Sequence, residues 1–189
     1  MSDIKKPLKT GKFGYSNLGM ALLGNILAKC QGATYEETVK KHLLEPLGMT
    51  DTHVSSETYD FRRLAKGHGA NGKTLPNFKW DGMEPAGVWR STTNDMLIFL
   101  KAHLGYLGND WKTLLQETTS PAFNDPKLVN IGFAWALGES NELGQIAWHN
   151  GGTFGQHSIV VCCRDRNMAI VILANKAPKL WHSFFLVTV

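Results

Sequence analysis

The chain has 189 residues, 43% of them hydrophobic and 19% charged, and carries a formal net charge of +4. That length supports one domain with its own core, and the composition excludes a disordered or collagen-like chain. The longest unbroken apolar run, Met168 to Ala174, is too short to cross a bilayer, so no membrane span is expected.

The head of the chain is basic: Lys5, Lys6, Lys9 and Lys12 stand against Asp3 alone, and the body after Gly14 is nearly neutral. A short basic head is a solvated tail, unlike the basic face of a nucleic-acid binder. Met1-Ser2-Asp3-Ile4-Lys5-Lys6 lacks the apolar segment of a signal peptide, and the sequence leaves the compartment open. Leu18, Leu22, Leu23, Ile26 and Leu27 then fall at helical spacing, predicting a helix from Tyr15 or Asn17 to Lys29 that Gly32 stops. Thr34-Tyr35-Glu36-Glu37 has the pattern of a capping box. The helix it opens buries Tyr35, Val39 and Leu43 and ends at Pro46-Leu47-Gly48. Residues 51–87 are rich in Gly, Asn, Lys and His without periodicity, a kind of long segment that usually serves as a functional wall or lid. Thr92-Thr93-Asn94-Asp95 caps the next helix, whose buried stripe is Met96, Phe99, Leu100, His103 and Leu104. A shorter helix follows around residues 111–118.

The period then changes. Ile131, Phe133, Trp135 and Leu137 alternate as in a half-buried strand, followed by strands at 145–149, 158–164 and 168–174. Helices first and antiparallel strands last predict an α+β fold. One domain is expected over residues 1–189: mainly helical from 14 to 130, about four strands from 131 to 175, and a tail or short helix at 178–189. Cys30, Cys162 and Cys163 form no Cys-x-x-Cys pair and read as small buried hydrophobes.

Two runs carry the chemistry. Tyr15-Ser16-Asn17 opens the first helix, and Trp148-His149-Asn150-Gly151-Gly152-Thr153-Phe154-Gly155 lies on a strand. Gly151 and Gly152 lack the Cβ that would hold a ligand away from the backbone. Asn17 is equally suited to cap the helix. His149 and His157 have no acidic partner at metal spacing, so neither metal nor cofactor is expected. His157 could face a cleft or fill space, and Trp80, Trp89 and Trp148 could line one or pack the core. Between the two runs lie Glu45-Pro46-Leu47-Gly48-Met49 and Pro85-Ala86-Gly87-Val88-Trp89-Arg90-Ser91-Thr92-Thr93-Asn94-Asp95-Met96.

In this order, from about Leu8 to Ala177, the landmarks resemble the serine β-lactamase, penicillin-binding protein and class C-like esterase superfamily. The resemblance implies helices on both faces of an antiparallel sheet beside an all-helical region. It also implies acyl transfer through a serine ester, which needs a nucleophile, a base and two N–H donors facing the oxyanion. By resemblance Tyr15 and His149 are catalytic, the tyrosine relaying a proton and the histidine standing where the family has Lys or His. Asn17, Asn150, Gly151 and Gly152 bind substrate, and the Gly152 N–H forms the strand-side half of the oxyanion hole.

The family's Ser-x-x-Lys motif belongs many dozens of residues before Tyr15. Ser2-Asp3-Ile4-Lys5 spells it, but on a polar terminus with no apolar stripe. The expectation is therefore an incomplete β-lactamase-like fold without N-terminal strands and nucleophile helix, inactive alone. The alternative is a non-catalytic ligand- or partner-binding remnant. The implied substrate is a small ester, a D-amino-acid peptide or a β-lactam. An open sheet edge would suit a complementing chain or self-association. Members of the superfamily are often exported.

Overall fold

The computed structural model describes residues 13–54, 60–123 and 130–176. The basic head, Ser2-Asp3-Ile4-Lys5 and the expected tail at 178–189 lie outside the described residues.

Helix α1 (Asn17–Gln31) is capped by Ser16, whose hydroxyl accepts the Gly19 N–H at 3.0 Å. Asn17 is thus the first helical residue and leaves the cap to its neighbour. Gly32 closes the helix in the left-handed conformation that a side chain would strain. The capping box forms as expected: Glu37 accepts the Thr34 N–H at 2.8 Å while Thr34 Oγ1 accepts the Glu37 N–H at 3.2 Å. The helix it opens is not uniform. α2 (Tyr35–Val39) passes through a π-helical turn (Lys40–Leu44) into α3 (Glu45–Leu47). Leu44 and Leu47 thereby enter a core with Met49, Ala102 and Leu115, against which Val39, Leu43 and Trp89 pack. α4 (Thr93–His103) begins with Thr92 Oγ1 accepting the Asp95 N–H at 3.2 Å, and α5 (Asn109–Thr118) follows.

Five strands form an antiparallel meander in sequence order: β1 (Asn130–Ile131), β2 (Ala136–Ser140), β3 (Gly144–Thr153), β4 (Gln156–Cys163) and β5 (Met168–Ala174). The last matches its predicted bounds. The alternation from Ile131 to Leu137, by contrast, is no single strand. Ala134 takes a left-handed φ of 65° and Gly132 N–H donates to Trp135 O at 2.8 Å, turning β1 back onto β2. A Cβ on Gly132 would lie 2.5 Å from Thr118 O, so the turn is docked against the end of α5. This hairpin raises the strands to five where about four are expected.

Strand alternation divides the sheet into two faces. Leu137, Ala147 and Val160 face Phe99 of α4 and form the second core with Trp135. Ile170 and Ile172 on β5 face the other way and are about half exposed. β5 is an edge strand, paired only with β4 among the described strands. On α1, only Ala21, Gly24 and Ala28 are buried, while Leu18, Leu22, Leu23, Ile26 and Leu27 are all 49–62% exposed. No helix among the described residues is long and apolar enough to cross a membrane.

Candidate active site

The site is built on an interrupted strand pairing. β2 pairs with β3 only over residues 144–148, whereas β4 pairs with it over 147–153. From His149 to Thr153 the β2-side edge of β3 therefore has no partner strand among the described residues. Apart from the Asn150 backbone group that the His149 ring engages, the backbone polar groups along this edge have no ladder partner among the described residues. Four of the predicted site residues, His149, Asn150, Gly151 and Gly152, stand consecutively on this edge. Gly151 leaves room: a Cβ there would meet only Ser158 Oγ, at 3.1 Å.

Alternation places His149 on the face shared with Ala147 and Val160, toward α4, and Asn150 and Gly152 on the opposite face. Burial pushes the His149 imidazole below its ordinary value, against an upward pull from its hydrogen bond with the Asn150 backbone. The ring is therefore neutral at neutral pH, able to accept a proton. His157, opposite Gly152 on β4, is also lowered by burial.

Tyr15 and Asn17 stand together at the head of α1, and Tyr15 is 65% exposed. No hydrogen bond among the described residues joins this pair to β3. They are linked instead through the segment 78–85. Phe78 meets Phe154, just past the end of β3, with ring centroids 5.1 Å apart, and meets Trp80 at 5.6 Å. Four residues on, Gly82 O accepts Asn25 Nδ2 of α1 at 3.1 Å, and Pro85 packs on Gly24. Four residues of extended chain reach at most about 14 Å, so this stretch ties α1 to the end of β3.

Arg90 anchors this segment, while the chain at 65–68 holds the turn that follows β3. Arg90 donates to Phe78 O at 3.0 Å and to Val54 O at 2.6 Å. His68 N–H donates to both Asn175 O, at 2.9 Å, and Gly155 O, at 3.1 Å, while Gln156 Nε2 donates to Ala65 O at 2.6 Å. Trp89 packs against Tyr35 in the helical core, whereas Trp80 joins Phe78 beside the site. Phe78 and Phe154 are absent from the sequence-derived site. The one signal for them is Phe-x-Trp in a Gly-rich loop and a Phe directly after Gly-Gly-Thr. No group of three or more His, Cys, Asp or Glu among the described residues is placed to hold a metal ion.

Solved structures share this fold. A class C β-lactamase from Rhodobacter sphaeroides matches with a TM-score of 0.79 at 20% identity, over 92% of this chain and 58% of that one. Helices followed by the antiparallel sheet thus define a β-lactamase-like fold. The family profile described as Beta-lactamase matches residues 6–183, and the chain belongs to that family. Penicillin-binding protein 4* of Bacillus subtilis (strain 168) is 28% identical over 180 residues, covering 86% of this chain and 39% of that protein. Protein flp of Staphylococcus aureus (strain MW2) is 26% identical over 172 residues, covering 87% and 33%. The chain spans less than two fifths of either relative's length.

Proposed function

We propose that this chain supplies the substrate-binding and oxyanion half of a serine hydrolase acting on a small ester, a D-amino-acid peptide or a β-lactam. The free edge of β3 at residues 149–153 carries the reading. A substrate amide laid along it makes strand-like hydrogen bonds. The Gly152 N–H donates to the carbonyl oxygen as that oxygen gains charge in the tetrahedral intermediate. Asn17 and Asn150 hold the amide. A serine hydroxyl adds to the carbonyl carbon, and its proton passes through the Tyr15 oxygen to the leaving nitrogen or oxygen as that bond breaks. Neutral His149 accepts a hydrogen bond in this relay. Relatives named as a penicillin-binding protein and β-lactamases support the substrate class.

Among the described residues no Ser-x-x-Lys pair stands beside this edge, and the proposal is that the chain alone forms no acyl-enzyme. Intact mass after incubation with benzylpenicillin and, separately, a fluorophosphonate tests this. No mass increase is expected, and a stoichiometric adduct mapped to any serine would overturn it.

The apolar stripe on α1 and the edge of β5 favour a second reading, a non-catalytic module that binds a partner chain. A complementing chain or a second copy would cover both surfaces. Light scattering separates the cases: a monomer at micromolar concentration excludes self-association.

A further inference from the structure

The positive charge of the body of this chain is unevenly placed. Residues 61–80 hold five basic side chains, Arg62, Arg63, Lys66, Lys73 and Lys79, and no acidic one. Removing those five from the chain's 20 basic residues leaves 15 against 16 acidic ones. Two of the five are matched, Arg62 by Asp60 at 2.8 Å and Arg63 by Asp51 at 2.5 Å. Lys66, Lys73 and Lys79 form no ion pair among the described residues, and neither does Lys176, just past β5. All four are exposed.

The fold gathers these lysines on one ribbon. Residues 67–75 double back as a short hairpin: Leu75 N–H donates to Gly67 O at 2.8 Å and Gly69 N–H to Lys73 O at 2.9 Å. Asn71 Oδ1 tightens the tip by accepting the Lys73 N–H at 3.0 Å, and Gly72 takes the left-handed φ of 81° that the turn needs. His68 bridges Thr74 on one side and Lys176 on the other. Three short stretches of chain, bearing Lys73, Lys66 and Lys176, therefore lie side by side across about 10 Å, two interstrand spacings. Asn175 fixes the frame further: its carbonyl accepts His68 Nδ1 at 3.0 Å and its Nδ2 donates to Lys66 O at 3.2 Å. Lys79 continues the row toward β3, since its neighbour Phe78 meets Phe154.

Cations held close on a fixed backbone, with no acidic neighbour to neutralise them, raise the local potential and attract a ligand of opposite sign. Four lysines spread over a ribbon suit several anionic groups in a row better than one. A membrane surface would call for apolar side chains among the lysines, yet no large hydrophobic side chain described within residues 60–80 is exposed. A single-stranded nucleic acid would call for aromatic faces under its bases, and residues 66–75 contain no Phe, Tyr or Trp. We propose that Lys66, Lys73, Lys79 and Lys176 form a docking surface for a linear polymer with phosphate groups along its backbone.

The test follows the fluorescence anisotropy of labelled inorganic polyphosphate titrated with the whole chain at low and fourfold higher NaCl. Four lysine–phosphate contacts should weaken binding roughly 50-fold between about 50 and 200 mM salt. Lys66→Gln combined with Lys176→Gln leaves two contacts. Affinity at the lower salt should then fall roughly tenfold or more, and the salt effect should shrink to roughly sevenfold. Lys41→Gln combined with Lys101→Gln makes the same change of charge at exposed positions of the helical region, and should leave affinity within about twofold. Undetectable binding at the lower salt would overturn the proposal. So would an affinity that survives the ribbon substitutions, which would belong to the basic head, or equal losses in the two double variants, the mark of net charge alone. Binding to phosphatidylglycerol vesicles without binding to polyphosphate would overturn it in favour of a membrane surface.

Discussion

Gly24 of α1 and Pro85 of the turn 84–86 are in direct apposition: a Cβ on Gly24 would lie 2.3 Å from Pro85 Cβ and 3.1 Å from the Tyr35 ring. The contact joins the helix that Tyr15 precedes to the segment whose Phe78 meets the end of β3. Helix propensity alone argues that Gly24→Ala stabilises α1 by about 1 kcal/mol. The apposition reverses that sign, because an added methyl must push Pro85 and its neighbours away. Gly24→Ala should lower stability by about 1–3 kcal/mol in urea unfolding. A stabilised variant would show that α1 and Pro85 are not in close contact.

Gly155 combines two constraints that a side chain violates. Its φ is +72°, and a Cβ there would stand 2.5 Å from His68 N and 2.8 Å from His68 O. The obstacle is backbone, which cannot rotate aside. Gly155→Ala should cost roughly 2 kcal/mol or more and should free His68 from its acceptors. Hydrogen exchange at the His68 amide should then accelerate, while the β2–β3 amides keep their protection. Unchanged exchange at His68 would mean that the 65–68 strap does not depend on this turn.

Arg90 serves two carbonyls 24 residues apart, those of Val54 and Phe78, and its backbone also pairs with His53 in both directions. Lysine keeps the charge but cannot span two acceptors with a planar fork. Arg90→Lys should lose one charged-donor hydrogen bond, about 1.5–3 kcal/mol. It should also loosen Phe78, seen as faster limited proteolysis around residues 62–82 and a red shift of the tryptophan emission. Proteolysis at the wild-type rate would remove Arg90 as the clamp of this segment.

Local chemistry made much of this molecule readable in advance. Thr34 with Glu37, Thr92 with Asp95, and Gly32 mark helix ends through bonds between residues close in sequence. The glycine pair at 151 and 152 lies on the strand whose edge is left unpaired by β2. What escaped depends on distant partners. The Ile131 to Leu137 alternation keeps its period across a hairpin, and only Ala134's left-handed φ and the docking of Gly132 on Thr118 reveal the turn. Ser16 and Asn17 are both good caps, and propensity does not choose between them. The aromatic group at Phe154 needs Arg90 to hold Phe78 in place, a contact that no pattern along the chain announces.

His103 gives the chain a predictable response to acid. The residue is 1% exposed, its ring set edge-on between Phe99, at 4.4 Å, and Trp135, at 5.1 Å. Its Nδ1 lies 3.0 Å from Phe99 O and so carries the proton of the neutral ring, leaving Nε2 bare and without a partner. Protonating Nε2 would bury an unmatched cation near Arg164, whose Nε already donates to His103 O at 2.9 Å. Burial, helped by the Arg164 charge and opposed by the Phe99 bond, lowers the pKa from 6.5 to about 4. In the unfolded chain the same imidazole titrates near its ordinary value, so between those two pH values the unfolded state binds the extra proton. Stability is therefore fully present above about pH 6.5 and declines as pH falls toward 4, by roughly 3 kcal/mol from this group. His149 and His157, lowered in the same direction, add to the decline. In His103→Leu the proton uptake at this position disappears. Urea midpoints measured at pH 7.5 and 4.5 should fall much less between the two values in the variant than in the wild type. Parallel falls in both proteins would place the acid sensitivity elsewhere.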